Sequence, residues 1–187
     1  MSYAKIFDAA VPPVAVPAPG MSGVMGYIGG AADHVWTLPE WQRFAGLVQF
    51  PVWVADLAAS PAGQGEAAVK AARGLGWAAF LAEPGRRVIV LDLEAGADPL
   101  WYERAAAAVT AGGFVPVCYG SLSTVLGNAA SDVIAADWDD IPVIPAGQVL
   151  HGLQYDADVL AGGTLVDFSV FDGWLFARGG VGPRRGA

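Results

Sequence analysis

Asp92 and Glu94 stand two positions apart at the end of the apolar run VIVLDLE (88–94). Carboxylates are rarely buried in such a run unless they are paired or put to use. In a strand, positions i and i+2 share a face, so both acids point to the side of Val88 and Val90, with Cα atoms roughly 6.5 Å apart. Burial and mutual repulsion at that spacing raise the pKa of one group and leave a neutral acid beside an anion. A proton donor next to a carboxylate is the equipment for cleaving a glycosidic bond. The competing reading is structural: the two acids cap the following turn, or pair with Arg86 or Arg87.

Further polar residues fall at the ends of other apolar runs. Asp8 closes 3–9, Asp56 closes 50–57, Asp137 closes 133–138, and Gln154–Tyr155 close 150–155, while Asp167 lies inside 164–170. In parallel β/α folds the C-terminal strand ends form the functional mouth, so groups scattered in sequence converge there. Tyr27, Trp53, Tyr119, Trp138 and Tyr155 lie at or near the same ends, where flat rings stack on sugar faces. Membership of the core is the alternative, above all for Trp53. Asp56, Tyr119, Asp137, Gln154, Tyr155 and Tyr27 are thus the expected substrate contacts around Asp92 and Glu94.

Other chemistries find less support. His34 and His151 are the two histidines and show neither HxH nor HExxH spacing, so no metal is expected, and an all-oxygen Mg²⁺ or Ca²⁺ site of a phosphoesterase is the weaker rival. Ser121 and Ser123 in GSLST lack the nucleophile elbow and read as a helix N-cap. No GxGxxG or Walker-type loop follows any strand, and no cofactor is expected. A net charge of −8 argues against phosphate backbones, so nucleic acid is not an expected partner. Cys118 is the single cysteine, which rules out an intrachain disulfide and leaves the compartment open. MSYAKIFDAAVPP has no basic segment followed by an apolar one, so no signal peptide is expected. No apolar run reaches membrane-spanning length, so no membrane insertion is expected either.

The elements that must carry these residues alternate between strand and helix. Strands are expected at 3–9, 23–28, 50–57, 88–94, 114–119, 133–138, 150–155 and 164–170, and helices at 39–47, 65–82 and 99–111. Gly112–Gly113 suits a left-handed C-cap. VPPVAVPAPG (11–20) and DDIPVIPAGQ (139–148) cannot be helical, because clustered prolines remove donors and push their neighbours toward extended geometry. Eight strands with incomplete helices fit a trimmed TIM-like (β/α) barrel of the α/β class, since 187 residues fall short of the roughly 250 typical of that fold. A doubly wound open sheet is the competing architecture. A single domain is expected over 1–176, with 177–187 as a flexible C-terminal tail.

VIVLDLE (88–94), GGFVPVCYGS (112–121), VIAADWDD (133–140), LQYD (153–156) and LVDFSVF (165–171) come in the order found in family 25 glycoside hydrolases, and the chain resembles those muramidases (lysozymes). GVMGYIGG (23–30) and VDFSVFDG (166–173) look closer to the related glycoside-hydrolase-like domain of unknown function 1906, found in actinobacterial secreted and phage proteins. The resemblance implies that Glu94 is the general acid/base and that Asp92 orients the substrate N-acetyl group or stabilises positive charge at the anomeric carbon. It implies that Asp8 and Asp167 complete an acidic floor, that Gln154 and Tyr155 are the QY of the seventh strand, and that Asp137 is the acidic end of the sixth. The proline run after Asp8 departs from the family, replacing a segment that helps shape the muramidase cleft.

The expected function is therefore hydrolysis of peptidoglycan-type β-1,4-linked amino-sugar glycans. The alternative is a non-catalytic glycan-binding or virion/cell-surface module that keeps the fold.

Overall fold

The apolar runs build one closed sheet. The computed structural model describes residues 3–77, 87–93, 98–127, 132–144, 150–161 and 163–181; Glu94 and Arg86 lie outside the described residues, as do 78–82 of the expected second helix and 182–187 of the expected tail. The strands are β1 (Ala4–Asp8), β2 (Met21–Gly30), β3 (Val48–Val54), β4 (Val88–Asp92), β5 (Val115–Ser121), β6 (Val133–Ala136), β7 (Gly152–Ala161) and β8 (Thr164–Phe171), with the helices α1 (Leu38–Arg43), α2 (Pro61–Gly74), α3 (Pro99–Ala111), α4 (Leu122–Gly127) and α5 (Gly173–Phe176) between or after them. Each strand pairs with the next, β8 returns to β1, and the barrel is closed. The expected trimmed α/β barrel is what forms.

The trimming follows the prolines. Among the described residues, only β3 and β4 are followed by helices of several turns, α2 and α3; neither 9–20 after β1 nor 137–144 after β6 contains a helix. α2 starts at Pro61, earlier than expected, because proline at the first helical position loses no intrahelical bond. It ends at Gly74, with Gly76 at φ +92°. α3 spans the expected residues, and Gly113 at φ +83° follows its last turn. The two helices touch through small residues. A Cβ on Gly65 of α2 would collide with the Ala105 carbonyl oxygen of α3, so glycine sets their approach.

Alternation sorts the strand residues into two sets. Ile6, Met25, Phe50, Val52, Val88, Val90, Val117, Ile134 and Phe171 fill the barrel interior, as expected when eight strands leave room only for side chains. Phe7, Val24, Trp53, Ile89, Leu91, Cys118, Val133 and Leu153 face outward and pack with the helices. Trp53 thus belongs to the outer core, its Nε1–H donating to Gln64 Oε1 at 2.8 Å.

One strand runs against the rest. β8 is antiparallel to both β7 and β1, whereas the other barrel pairings are parallel. Its first half therefore lies at the mouth and its last residues at the opposite end, where Leu175 of α5 closes the interior, fully buried. Gly180–Val181, in the stretch read as a tail, pair with β3 as a short β9. Among the described residues, no helix is long and apolar enough to cross a membrane.

Candidate active site at the barrel mouth

Asp8 ends β1, Asp92 ends β4, and Asp167 stands opposite Asp8 in the antiparallel β1–β8 register. Directly opposed residues share a face with Cα atoms about 4.5–5.5 Å apart, so three carboxylates from three strands meet over the interior core. The reversed direction of β8 explains how a mid-strand acid reaches the mouth. Tyr27, Tyr119 and Gln154 enter from β2, β5 and β7, on the same inward face. Tyr27 stands beside a bulge in β2, where the register shifts between Tyr27 and Gly29. That bulge requires glycine: Gly30 sits at φ +80°, and a Cβ there would collide with the Val54 carbonyl oxygen.

Two hollows meet at these residues. A small one of about 10 Å³, room for a single water, is lined by Asp8, Tyr27, Asp92 and Tyr119 above Val52 and Val90. An open cleft of about 400 Å³ is bounded by Tyr27, Asp92, Tyr119, Ser121, Ala136 and Trp138. Asp92 belongs to both. No Lys, Arg or His lines either hollow among the described residues. Arg87, one expected structural partner, precedes β4 at its other end, about 16 Å of strand away from Asp92.

Gln154 joins the parts. It is 1% exposed. Its Oε1 accepts from Tyr119 Oη at 2.9 Å and from Trp138 Nε1 at 2.8 Å, and its Nε2 donates to Asp167 Oδ2 at 3.0 Å and toward Asp8 Oδ2 at 3.4 Å. The indole N–H is only a donor, which fixes the orientation of the amide. Trp138 is 68% exposed, yet its edge is tethered, so an open ring face is held at the cleft wall. Asp167 Oδ1 also accepts from the backbone N–H of Asp158 at 2.7 Å, and Asp158 adopts φ +57° in the irregular stretch of β7 where that bond is made.

Electrostatics follow from burial among acids. Burial pushes Asp8 well above the usual carboxylate range, with Asp167 and then Asp92 adding to the rise and the Gln154 bond opposing it. Burial also raises Asp167; the Asp158 N–H and Gln154 counter it, while the charges of Asp158 and Asp156 add to it. Burial, then Asp8 and Asp92, lift the Tyr119 phenol well above its ordinary value, so it remains a donor.

Not every expected contact converges. Asp56 follows β3 on the surface and accepts from the backbone N–H of Ala58 at 3.0 Å, closing its own turn. Asp137 leaves β6 just before Trp138, its backbone N–H bonded to the Gln154 carbonyl. Tyr155 alternates with Gln154 and packs against the outer core, away from the hollows. Ser121 does cap α4, its Oγ accepting from the Thr124 N–H at 3.3 Å. The hub role of Gln154 was not legible in the sequence, because its four partners come from three other strands and a loop. No group of three or more His, Cys, Asp and Glu side chains is arranged to hold a metal ion among the described residues.

This geometry has counterparts. The chain superposes with a TM-score of 0.73 on an uncharacterized protein of B. stearothermophilus, at 16% identity, covering 95% of this chain and 100% of that one. A bacterial lysozyme from Streptomyces coelicolor gives 0.62 at 19% identity, covering 95% and 98%. The catalytic domain of endolysin ply40 from bacteriophage P40 of Listeria monocytogenes gives 0.68 at 15% identity, covering 96% and 98%. The chain has the fold of these lysozymes and endolysins. That agrees with the muramidase-type barrel implied by the ordered motifs, and the fold is peptidoglycan-hydrolase-like. No family model matches the sequence, and no curated protein does so either.

Proposed function

We propose that this protein is a glycoside hydrolase acting on peptidoglycan-type β-1,4-linked amino-sugar glycans. The observation that carries the reading is the meeting of Asp8, Asp92 and Asp167 beneath an aromatic-walled cleft at the barrel mouth. Burying Asp8 against Asp167 costs stability, and barrel mouths are where such a cost serves chemistry. A cleft of about 400 Å³ with an open indole face suits a sugar ring, whose apolar face stacks on aromatics while its hydroxyls meet carboxylates.

In the proposed reaction Glu94, two positions beyond Asp92, donates its proton to the glycosidic oxygen as the bond from that oxygen to the anomeric carbon breaks. The bonding electrons leave with the oxygen, and the anomeric carbon becomes positively charged. Asp92 stabilises that charge or holds the N-acetyl group against it. Water then adds to the carbon and returns a proton to Glu94. The fold of the lysozyme and endolysin relatives supports the assignment.

The test is digestion of purified bacterial cell wall by the full chain, read as released reducing ends. The intact protein is expected to release them and Glu94→Gln to lose about 10²–10⁴-fold in rate. Absence of release from every N-acetylated glycan tried overturns the assignment. The tethered, open Trp138 favours a second reading, a non-catalytic glycan-binding or cell-surface module. Glycan binding that Trp138→Ala abolishes and Glu94→Gln leaves intact, with no cleavage, selects it.

A further inference from the structure

The two acids of the β1–β8 pair are held unequally. Asp167 accepts two short bonds, 2.7 Å from the Asp158 N–H and 3.0 Å from Gln154 Nε2, whereas Asp8 accepts one long bond of 3.4 Å from the same amide. Asp8 is also the more deeply buried. Two carboxylates at directly opposed positions do not both ionise easily, so one proton belongs to the pair. The amide that touches both acids decides between them, because each N–H favours the anion it reaches best.

We infer that Gln154 is a positioning residue that assigns the single proton of this pair to Asp8, making Asp8 a neutral hydrogen-bond donor in the small hollow while Asp167 remains the anion. The donors behind the amide strengthen its grip: Tyr119 Oη and Trp138 Nε1 both polarise the Gln154 carbonyl, which makes the N–H groups better donors. Among the described residues, the other titratable groups facing the pair are Asp92 on β4, Tyr27 on β2, Tyr119 on β5, and Asp156 and Asp158 on β7. Every one is an acid, so none supplies a positive charge that would draw the proton off Asp8. A neutral Asp8 offers its O–H to an acceptor oxygen in the small hollow, a sugar hydroxyl or an amide carbonyl. Only that choice of ligand rests on the glycosidase reading.

The experiment is infrared titration of the protonated-carboxyl band in the full chain carrying ¹³C-labelled aspartate. The wild type is expected to keep one aspartate protonated above the ordinary carboxylate range, and Asp8→Asn to remove it. Gln154→Met deletes both N–H donors. It is expected to raise the midpoint for a second proton, taken up by Asp167, by about one pH unit, a tenfold change in proton affinity. Should that variant fail to fold, Tyr119→Phe withdraws one donor from the amide and is expected to move the same midpoint upward by about twofold in affinity. No protonated aspartate in the wild type, a band that survives Asp8→Asn, or midpoints unmoved in the folded variants overturns the inference. The expected titration in a protein that cleaves no glycan retains the proton assignment and removes the hydrolase reading.

Discussion

The two ends of the barrel treat their acids in opposite ways. At the mouth, Asp8, Asp92 and Asp167 face one another and two tyrosines, with no basic residue lining the hollows among the described residues. At the closed end, His151 lies between two acids, its Nδ1 2.8 Å from Asp172 Oδ2 and its Nε2 3.4 Å from Asp132 Oδ1. Its ring stacks on Trp174 at 4.1 Å between centroids, and the Arg178 guanidinium covers Trp174 at 3.9 Å. Asp172 further caps α5, accepting from the Leu175 N–H at 2.8 Å, and so holds the Leu175 plug in place. At the closed end Asp132 and Asp172 share His151 as a partner. The mouth leaves acids against acids, an arrangement that lowers stability and is retained where chemistry needs perturbed groups.

Substitutions at the two ends should therefore separate activity from stability. The largest effect is expected for Asp92→Asn, which should reduce cell-wall hydrolysis by at least about 10²-fold while the melting temperature stays the same or rises. A large fall in melting temperature instead would make Asp92 a structural residue. Next is Leu175→Ala at the closed end, expected to cost about 2–5 kcal/mol in denaturant unfolding because it empties a fully buried site. The folded fraction should keep wild-type turnover. Trp138→Ala should raise KM for glycan by about fivefold with little change in kcat, since it removes a stacking face of about 1 kcal/mol and leaves the acids in place.

Asp8→Asn tests the cost of the mouth through pH. A carboxyl whose folded-state pKa is raised binds its proton more tightly when folded, so stability falls as pH climbs from the ordinary carboxylate value through the raised one. Above that window the whole cost is present. Thermal unfolding should show Asp8→Asn more stable than wild type at neutral pH, with the gain fading below about pH 4. The smallest effect is expected for His151→Ala, about 1 kcal/mol of stability with unchanged activity, from a partly exposed hydrogen bond and ring stack. An activity loss there would dissolve the division between the ends.

Much of this was legible along the chain. Eight apolar runs of strand length, three helical stretches and two proline-rich interruptions were enough for a trimmed barrel, because alternation and proline chemistry act locally. Asp8, Asp92, Asp137 and Gln154 stood out at strand ends for the same reason. The direction of β8 was harder to read, although Gly162–Gly163 between two apolar segments is a hairpin signal, and Ala161 does pair with Thr164 across it. Without that reversal Asp167 is a mid-strand acid, and its place at the mouth follows only from the resemblance. Tyr155 and Asp56 show the limit from the other side. One alternates outward and the other folds onto its own turn, and proximity to a strand end distinguishes neither from Tyr119 or Asp92.

The sequence by itself determined the kinds of element, their order, the inward face of each strand and the acids those faces carry, since these depend on neighbours a few residues apart. Only the tertiary structure decided that Asp8 opposes Asp167, that one buried amide reaches both, and that Trp138 is tethered to that amide from the cleft wall. Those relations join residues up to 146 positions apart. They arise when the sheet closes with one strand reversed, a consequence of how all eight strands pair rather than of any local preference.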